Sequence, residues 1–349
     1  MEKRFKISIA DSQREFEAKA DESVLSAALR QGVMLPYSCK NGTCGSCKGK
    51  IVSGSVHYPF HPPMALGENE IAAGEALLCQ AAASEDLTIK AREIAAVRDI
   101  QVRMFPARVI EKELLAPNVV KLCLKLPASQ RLQFLAGQYV DAVLKGGKRR
   151  AFSIANSPGS EDIIELHIRH VDGGDFTGWV FDELQLKDIL RFEGPQGTFF
   201  VRHDEPERPM IMMGGGTGFA PLKAMIEDLL EHNDTRPIDL YWGARNQSEL
   251  YLDSLPTRWA EEHEHINYHR AVDPCVEATL GCFQGFVHEA VLKDHPDLSE
   301  HDVYMSGPPA MIDAAKNEFL KAGVRERRLF YDSFEFGLDV PVSVLAKPH

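Results

Sequence analysis

Apolar and polar residues alternate at the start of the chain. Phe5, Ile7 and Ile9 are separated by Lys6 and Ser8, which predicts a half-buried strand over 5–10. A shorter alternation predicts a strand over 16–18. The period then lengthens to that of an amphipathic helix over 23–31, opened by Ser23 as N-cap and closed by Gly32 just past its end. A strand over 87–91 completes this first block. From 102 to about 203 short strands follow one another, at 102–111, 119–126, 138–144, 151–155, 163–170 and 189–193. Such even spacing predicts a small antiparallel barrel. Beyond Pro209 continuous apolar runs alternate with helical ones: a strand over 210–213, a helix through Leu230, strands over 238–242, 266–269 and 303–305, and a helix from Pro309. Strands alternating with helices predict a doubly wound parallel sheet.

A chain of 349 residues is long enough for two or three domains. The pattern places them at 1–93, 100–203 and 208–349, with the charged, apolar-poor stretch from Arg92-Glu93 to Arg98-Asp99 as the first junction. The net charge of -12 excludes a nucleic-acid partner, because phosphates demand a basic surface. Residues 1–93 hold eleven Lys and Arg against twelve Asp and Glu, so -11 of that charge falls on residues 94–349. Acidic steering of a partner toward the first block is not expected. Met1-Glu2-Lys3-Arg4 leads straight into the strand pattern and nowhere do eighteen apolar residues follow one another. The expectation is a soluble, cytoplasmic protein with no membrane association.

Cysteine spacing supplies the first chemistry. Cys39, Cys44 and Cys47 form C-x4-C-x2-C, and Cys79 follows thirty-two residues later, the spacing of a plant-type 2Fe-2S site. A negatively charged cluster needs backbone N–H groups close to sulfur, and only small residues permit that approach. The loop Cys39-Lys40-Asn41-Gly42-Thr43-Cys44-Gly45-Ser46-Cys47 is small at nearly every position between ligands. Tetrahedral zinc usually takes two short C-x2-4-C pairs, and this chain has one such pair plus an isolated cysteine. Cys123, Cys275 and Cys282 are expected to be small buried hydrophobes. The first block, β-rich with one crossing helix, then has the outline of a β-grasp ferredoxin, ahead of the barrel and the doubly wound sheet in a multi-domain α+β and α/β chain.

In the third block Gly214-Gly215-Gly216-Thr217-Gly218 follows a strand and opens a helix, so its amides face a pyrophosphate position. It departs from G-x-G-x-x-G. Ser306-Gly307-Pro308-Pro309 also lies between a strand and a helix, hence on the same carboxyl edge, where such sheets bind ligands. In the barrel block Arg150-Ala151-Phe152-Ser153 offers a cation, a ring and a hydroxyl along one strand, and Gly173-Gly174-Asp175-Phe176-Thr177 precedes a helix. Arg245 follows the strand where an adenosine ribose is read, with no acidic residue at the strand end.

In this order the motifs resemble the oxygenase-reductase family, in which a plant-type ferredoxin is fused ahead of a ferredoxin-NADP reductase-like module, as in reductases of the benzoate dioxygenase, phenol hydroxylase and CDP-6-deoxy-glucoseen types. The resemblance covers essentially the whole chain. It implies that Arg150 neutralises the flavin phosphate, Phe152 packs on the isoalloxazine and Ser153 bonds near flavin N5. It further implies that His167, Ile168 and Arg169 line the flavin, that Gly174, Phe176 and Thr177 form its pyrophosphate turn, and that Gly215, Gly216, Thr217, Gly218, Gly307 and Pro308 receive the nicotinamide nucleotide. Ser306, Asp332 and Phe334 complete the site of hydride transfer, Phe334 covering the flavin. Phe152 replaces the family's usual Tyr and Ser306 its frequent Cys. The implied cofactors are a 2Fe-2S cluster, FAD and NADH or NADPH, with NADH expected. The implied acceptor is the terminal component of an oxygenase; a nucleotide-sugar dehydrase, or direct quinone or ferric reduction, are the alternatives.

Overall fold

The computed structural model describes residues 3–94, 100–129, 131–160, 162–273 and 281–334, and divides into two compact units, 1–101 and 102–349. Cys275 and residues 95–99 of the expected junction lie outside the described residues.

In the first unit Arg4–Ile9 pairs antiparallel with Glu15–Lys19 and parallel with Leu87–Lys90, and Lys48–Ser53 and Glu75–Leu77 extend the sheet. The helix is Val24–Arg30. The Ser23 hydroxyl accepts the Ser26 amide, as expected of an N-cap, and Gly32 takes the left-handed φ of 73° that ends the helix. Alternate strand residues Phe5, Ile7 and Ile9 meet Leu25, Ala28 and Leu77 in one core. Val56–His57 and Ala82–Ala83 form a small second sheet.

The second unit begins with six antiparallel strands in the order Arg149–Ser153, Tyr139–Val143, Ile189–Gln196, Arg103–Ala116, Val119–Lys125 and Ile163–Arg169. An antiparallel bridge between Ile154 and Leu166 joins chain from the two edges. The strand expected over 102–111 runs on to Ala116, its register shifting twice against Val119–Lys125. Leu122, Leu124, Ile164, Leu166, Ile168 and Phe192 fill the interior.

Six parallel strands follow in the order Cys282–Gln284, Ile266–Val272, Ile238–Ala244, Met210–Gly215, Asp302–Gly307 and Leu329–Ser333. Met210 and Met212 face one core with Phe219 and Ile226 of the helix Phe219–Glu231, whereas Ile211 and Met213 face a second core with Ile312 and Phe319 of the helix Pro309–Lys321. Burial on both faces explains why these strands read as unbroken apolar runs. Cys282 corrects an expectation: it is only partly buried because its strand is short and lies at the sheet edge, whereas Cys123 is buried.

Candidate functional site

The cysteine loop is shaped by backbone that few residues tolerate. Lys40, Gly42 and Gly45 hold φ values of 61°, 90° and 80°. The Asn41 side chain accepts from both the amide and the hydroxyl of Thr43, at 3.3 and 2.9 Å, and so fixes the turn between the first two cysteines. The four thiols come as two hydrogen-bonded pairs, Cys39 with Cys44 and Cys47 with Cys79. Hydrogen bonding by the Cys44 thiol, opposed by burial and aided by the amides of Cys44, Asn41 and Thr43, pulls Cys39 down to about 5. Cys79 is lowered by Cys47 against its own burial, and the Gly42 amide assists. Among the described residues no three His, Cys, Asp or Glu side chains are spaced to hold one metal ion. Two pairs of sulfurs with amides turned toward them fit a two-iron cluster.

On the carboxyl edge of the parallel sheet the two expected turns meet. Gly214 pairs with Ser306, and a Cβ placed on Gly218 would fall 2.0 Å from the Ser306 carbonyl oxygen. Gly216 has φ 54°, and its carbonyl accepts from the Trp242 indole at 2.9 Å. Trp242 stacks on Phe219 at 4.0 Å, so the turn is pinned from beneath by an aromatic pair. Two buried atoms lack partners here, Ser306 Oγ and Arg169 Nη2. The latter lies 2.8 Å from where a Cβ of Gly216 would stand. Unpartnered donors beside an amide-lined glycine turn fit an anionic ligand such as a nucleotide.

Ser306 pairs with Asp332 across neighbouring strands, the Phe334 amide donates to the Gly307 carbonyl at 2.8 Å, and the Ser153 hydroxyl donates to Asp332 Oδ2 at 3.4 Å. Ser153, Ser306, Asp332 and Phe334 therefore converge from the barrel and the parallel sheet. The Phe152 ring lies 5.4 Å from Phe176, itself 6.0 Å from Trp179, an aromatic row under the Arg149–Ser153 strand. Gly174 caps the helix Asp175–Asp182 without a side-chain hydrogen bond. The Thr177 hydroxyl is occupied in closing the turn, accepting from the Val171 amide at 3.1 Å. Thr217 is half-buried within the glycine turn, and Pro308 lies 3.1 Å from a Cβ position on Gly215.

His167 and Ile168 turn elsewhere. Ile168 sits in the barrel core, and the His167 ring is buried between Tyr251 Oη, 3.0 Å from Nδ1, and Glu165, 2.8 Å from Nε2. Only their backbone remains to line a flavin. Glu165 also meets Lys223 at 3.2 Å, and Lys223 Nζ donates to the Ala155 carbonyl and to Glu227, each at 3.0 Å. Burial pushes Glu165 up, but His167 and Lys223 outweigh it and hold the carboxyl at about 2. Burial lowers His167, opposed by its hydrogen bond to Glu165. This network joins barrel to parallel sheet, and sequence reasoning missed it.

Glu249 was missed too. One carboxylate oxygen holds Arg245 at 2.7 Å and the other holds Arg169 at 3.2 Å. An acidic group thus stands beside the strand end after all, carried there by the short turn Gln247–Glu249. The signal was only an acid five residues past the Gly-Ala end of a strand.

Comparison with known proteins finds three domains in order along the chain. A 2Fe-2S iron-sulfur cluster binding domain matches residues 7–84, an oxidoreductase FAD-binding domain 106–201 and an oxidoreductase NAD-binding domain 212–317. The chain is 41% identical to the CDP-6-deoxy-L-threo-D-glycero-4-hexulose-3-dehydrase reductase of Yersinia pestis, over 91% of this chain and 95% of that one. It is 37% identical to the reductase component of phenol 2-monooxygenase from Pseudomonas sp. strain CF600, over 96% of each. The solved Amycolatopsis reductase GcoB superimposes with a TM-score of 0.77 at 32% identity, over 95% of this chain and 98% of that one. These features define an oxidoreductase carrying a 2Fe-2S cluster and binding FAD and a nicotinamide nucleotide. The chain belongs to the oxygenase-reductase family, in which a ferredoxin domain precedes an FAD- and NAD-binding module. No helix among the described residues is long and apolar enough to cross a membrane.

Proposed function

We propose that this protein passes electrons from NADH through FAD and a 2Fe-2S cluster to the terminal component of an oxygenase. The observation that carries this reading is the donor set of two thiol pairs, Cys39 with Cys44 and Cys47 with Cys79, in a chain whose second unit gathers Ser153, Ser306, Asp332 and Phe334 at one edge. FAD, when bound, accepts a nicotinamide's two electrons together and releases them singly, as a one-electron cluster requires. In this reading the blocks are a β-grasp domain at 1–93, an antiparallel barrel at 100–203 and a doubly wound sheet at 208–349.

The residues divide the work. Arg150 meets the flavin phosphate, Phe152 and Phe176 give an apolar wall, and Gly174 with Thr177 shapes the turn that offers free amides. Ser153, held by Asp332, presents a fixed hydroxyl to the flavin ring. Backbone at His167 and Ile168 lines the same ring, and the Arg169 guanidinium reaches across to the glycine turn. Gly215, Gly216, Thr217 and Gly218, with Gly307 and Pro308, let the nucleotide backbone approach closely, and the unpartnered Ser306 hydroxyl is the donor for the carboxamide. Phe334 shields the flavin until the nicotinamide enters. Pairing with Glu249 neutralises Arg245 and leaves a carboxylate that can accept from a ribose 2′-OH, which supports NADH over NADPH.

A second acceptor, a nucleotide-sugar dehydrase, is favoured by the 41% identity to the Yersinia pestis dehydrase reductase. Titrating the purified, cofactor-loaded protein with NADH should bleach flavin and cluster together. Rapid oxidation on adding an aromatic-ring oxygenase component assigns the first acceptor, and oxidation only by a sugar dehydrase assigns the second. Equal turnover with a quinone or ferric chelate and no protein would refute both.

A further inference from the structure

The residue after the fourth cysteine has a role of its own, which rests on reading the four cysteines as cluster ligands. Gln80 is 3% exposed. Its Nε2 donates to the Lys40 carbonyl at 2.6 Å and lies 3.7 Å from Cys79 Sγ, within reach of a hydrogen bond to sulfur. Turning the amide over would set two oxygens against each other at the Lys40 contact, so the nitrogen must be the atom that faces Lys40 and sulfur. Its Oε1 is buried without a partner, a loss of hydrogen bonding that a side chain accepts only where its other end is needed. The Cγ packs over Gly42, where a Cβ would come within 2.8 Å. Gln80 therefore spans from the start of the cysteine loop to the distant fourth cysteine.

What it grips is strained. Lys40 holds φ 61°, a left-handed conformation that crowds the Cβ of a side-chain-bearing residue against its own backbone. Such a conformation persists only when its surroundings over-determine it. An N–H aimed at a ligand sulfur also disperses the negative charge that the centre gains on reduction, and so raises its potential.

We propose that Gln80 is a positioning residue for the iron-sulfur centre: its amide clamps the Lys40 turn to Cys79 and, through the Cys79 sulfur, holds the reduction potential up.

The test uses the full-length protein, reconstituted anaerobically with iron and sulfide and checked for FAD. Gln80→Met keeps the volume and removes the donor, and Gln80→Glu keeps the shape and adds charge. Both should shift the cluster potential to more negative values in a spectroelectrochemical titration and alter the reduced cluster's paramagnetic resonance, while NADH reduces the flavin at an unchanged rate. Gln80 as mere filler would leave the potential and the resonance of Gln80→Met at wild-type values, and that result overturns the proposal. Should Gln80→Met fail to retain iron, Lys40→Gly is added to remove the left-handed strain. Recovery of iron with a lowered potential supports the clamp; recovery at the wild-type potential, or no recovery, overturns it. Wild-type protein that takes up neither iron nor sulfide would instead overturn the ligand assignment beneath it.

Discussion

Glu249 faces two arginines with one carboxylate, 14% exposed, and in the proposed reading this arrangement sets how an adenosine ribose is met. An unpaired Arg245 would attract a 2′-phosphate; a paired one is already satisfied. Glu249→Gln should therefore raise kcat/KM for NADPH relative to NADH by roughly tenfold, or ~1.4 kcal/mol. An unchanged ratio in steady-state kinetics would remove Glu249 from nucleotide choice. Phe334 gives a second residue-scale expectation, because its amide is anchored to Gly307 while its ring is only partly buried. Phe334→Ala should change nucleotide affinity or flavin reduction rate and leave FAD content intact, and stopped-flow traces identical to wild type would make the ring a packing element. At this scale the four cysteines and the glycine turn could be picked out by their spacing, whereas the roles of Arg150 to Ser153 came only from the family resemblance. Glu249, Trp242 and Gln80 were not legible, since each acts through a contact that only folding creates.

At the scale of elements, the helix Phe219–Glu231 does more than cover the sheet. It inserts Lys223, 8% exposed at its side chain, between Glu165 and Glu227. A lysine on an amphipathic helix reads from sequence as a solvated face, and its partner Glu165 is carried on a strand of the barrel, so no local pattern could announce the pair. The same pairing turns the His167 side chain inward and leaves its backbone for the flavin-lining role that the family resemblance implies. The smallest strands, Val56–His57 and Ala82–Ala83, went unread because two residues have no period. Lys223→Met should destabilise the second unit by about 3 kcal/mol or more, since it strands buried carboxylates, and flavin release on heating would report it. Glu165 has a depressed folded pKa of about 2, so its stabilisation is present above the unfolded carboxylate value and is lost as pH falls toward 2. The urea midpoint of wild type should exceed that of Glu165→Gln at pH 6, and the gap should narrow at pH 4. A gap independent of pH would show that the carboxylate charge contributes nothing.

The whole molecule separates where its chemistry does. Residues 102–349 form one compact unit in which barrel and parallel sheet share the Lys223 network and the Ser153–Asp332 contact, whereas residues 1–101 build a separate core around the cysteine loop. The order of motifs along the chain follows the same division, the cysteine loop standing ahead of the flavin and nucleotide turns. The contacts that unite the two sheets were not legible, because they link residues far apart in sequence. A chain beginning near Val102 should consequently fold, bind FAD and retain NADH-dependent reduction of ferricyanide, a small acceptor that can collect electrons directly from reduced flavin. Lacking Cys39, Cys44, Cys47 and Cys79, it should lose most reduction of cytochrome c and of the natural protein acceptor. Flavin content, measured first, separates a folding failure from a broken electron path. Delivery to the protein acceptor at the full-length rate by this truncated chain would mean that the first unit serves docking and conducts nothing. The Gln80 variants of the intact chain sharpen the distinction: a pure docking unit would tolerate a shifted cluster potential without any change in the rate of delivery, whereas a conducting one would not.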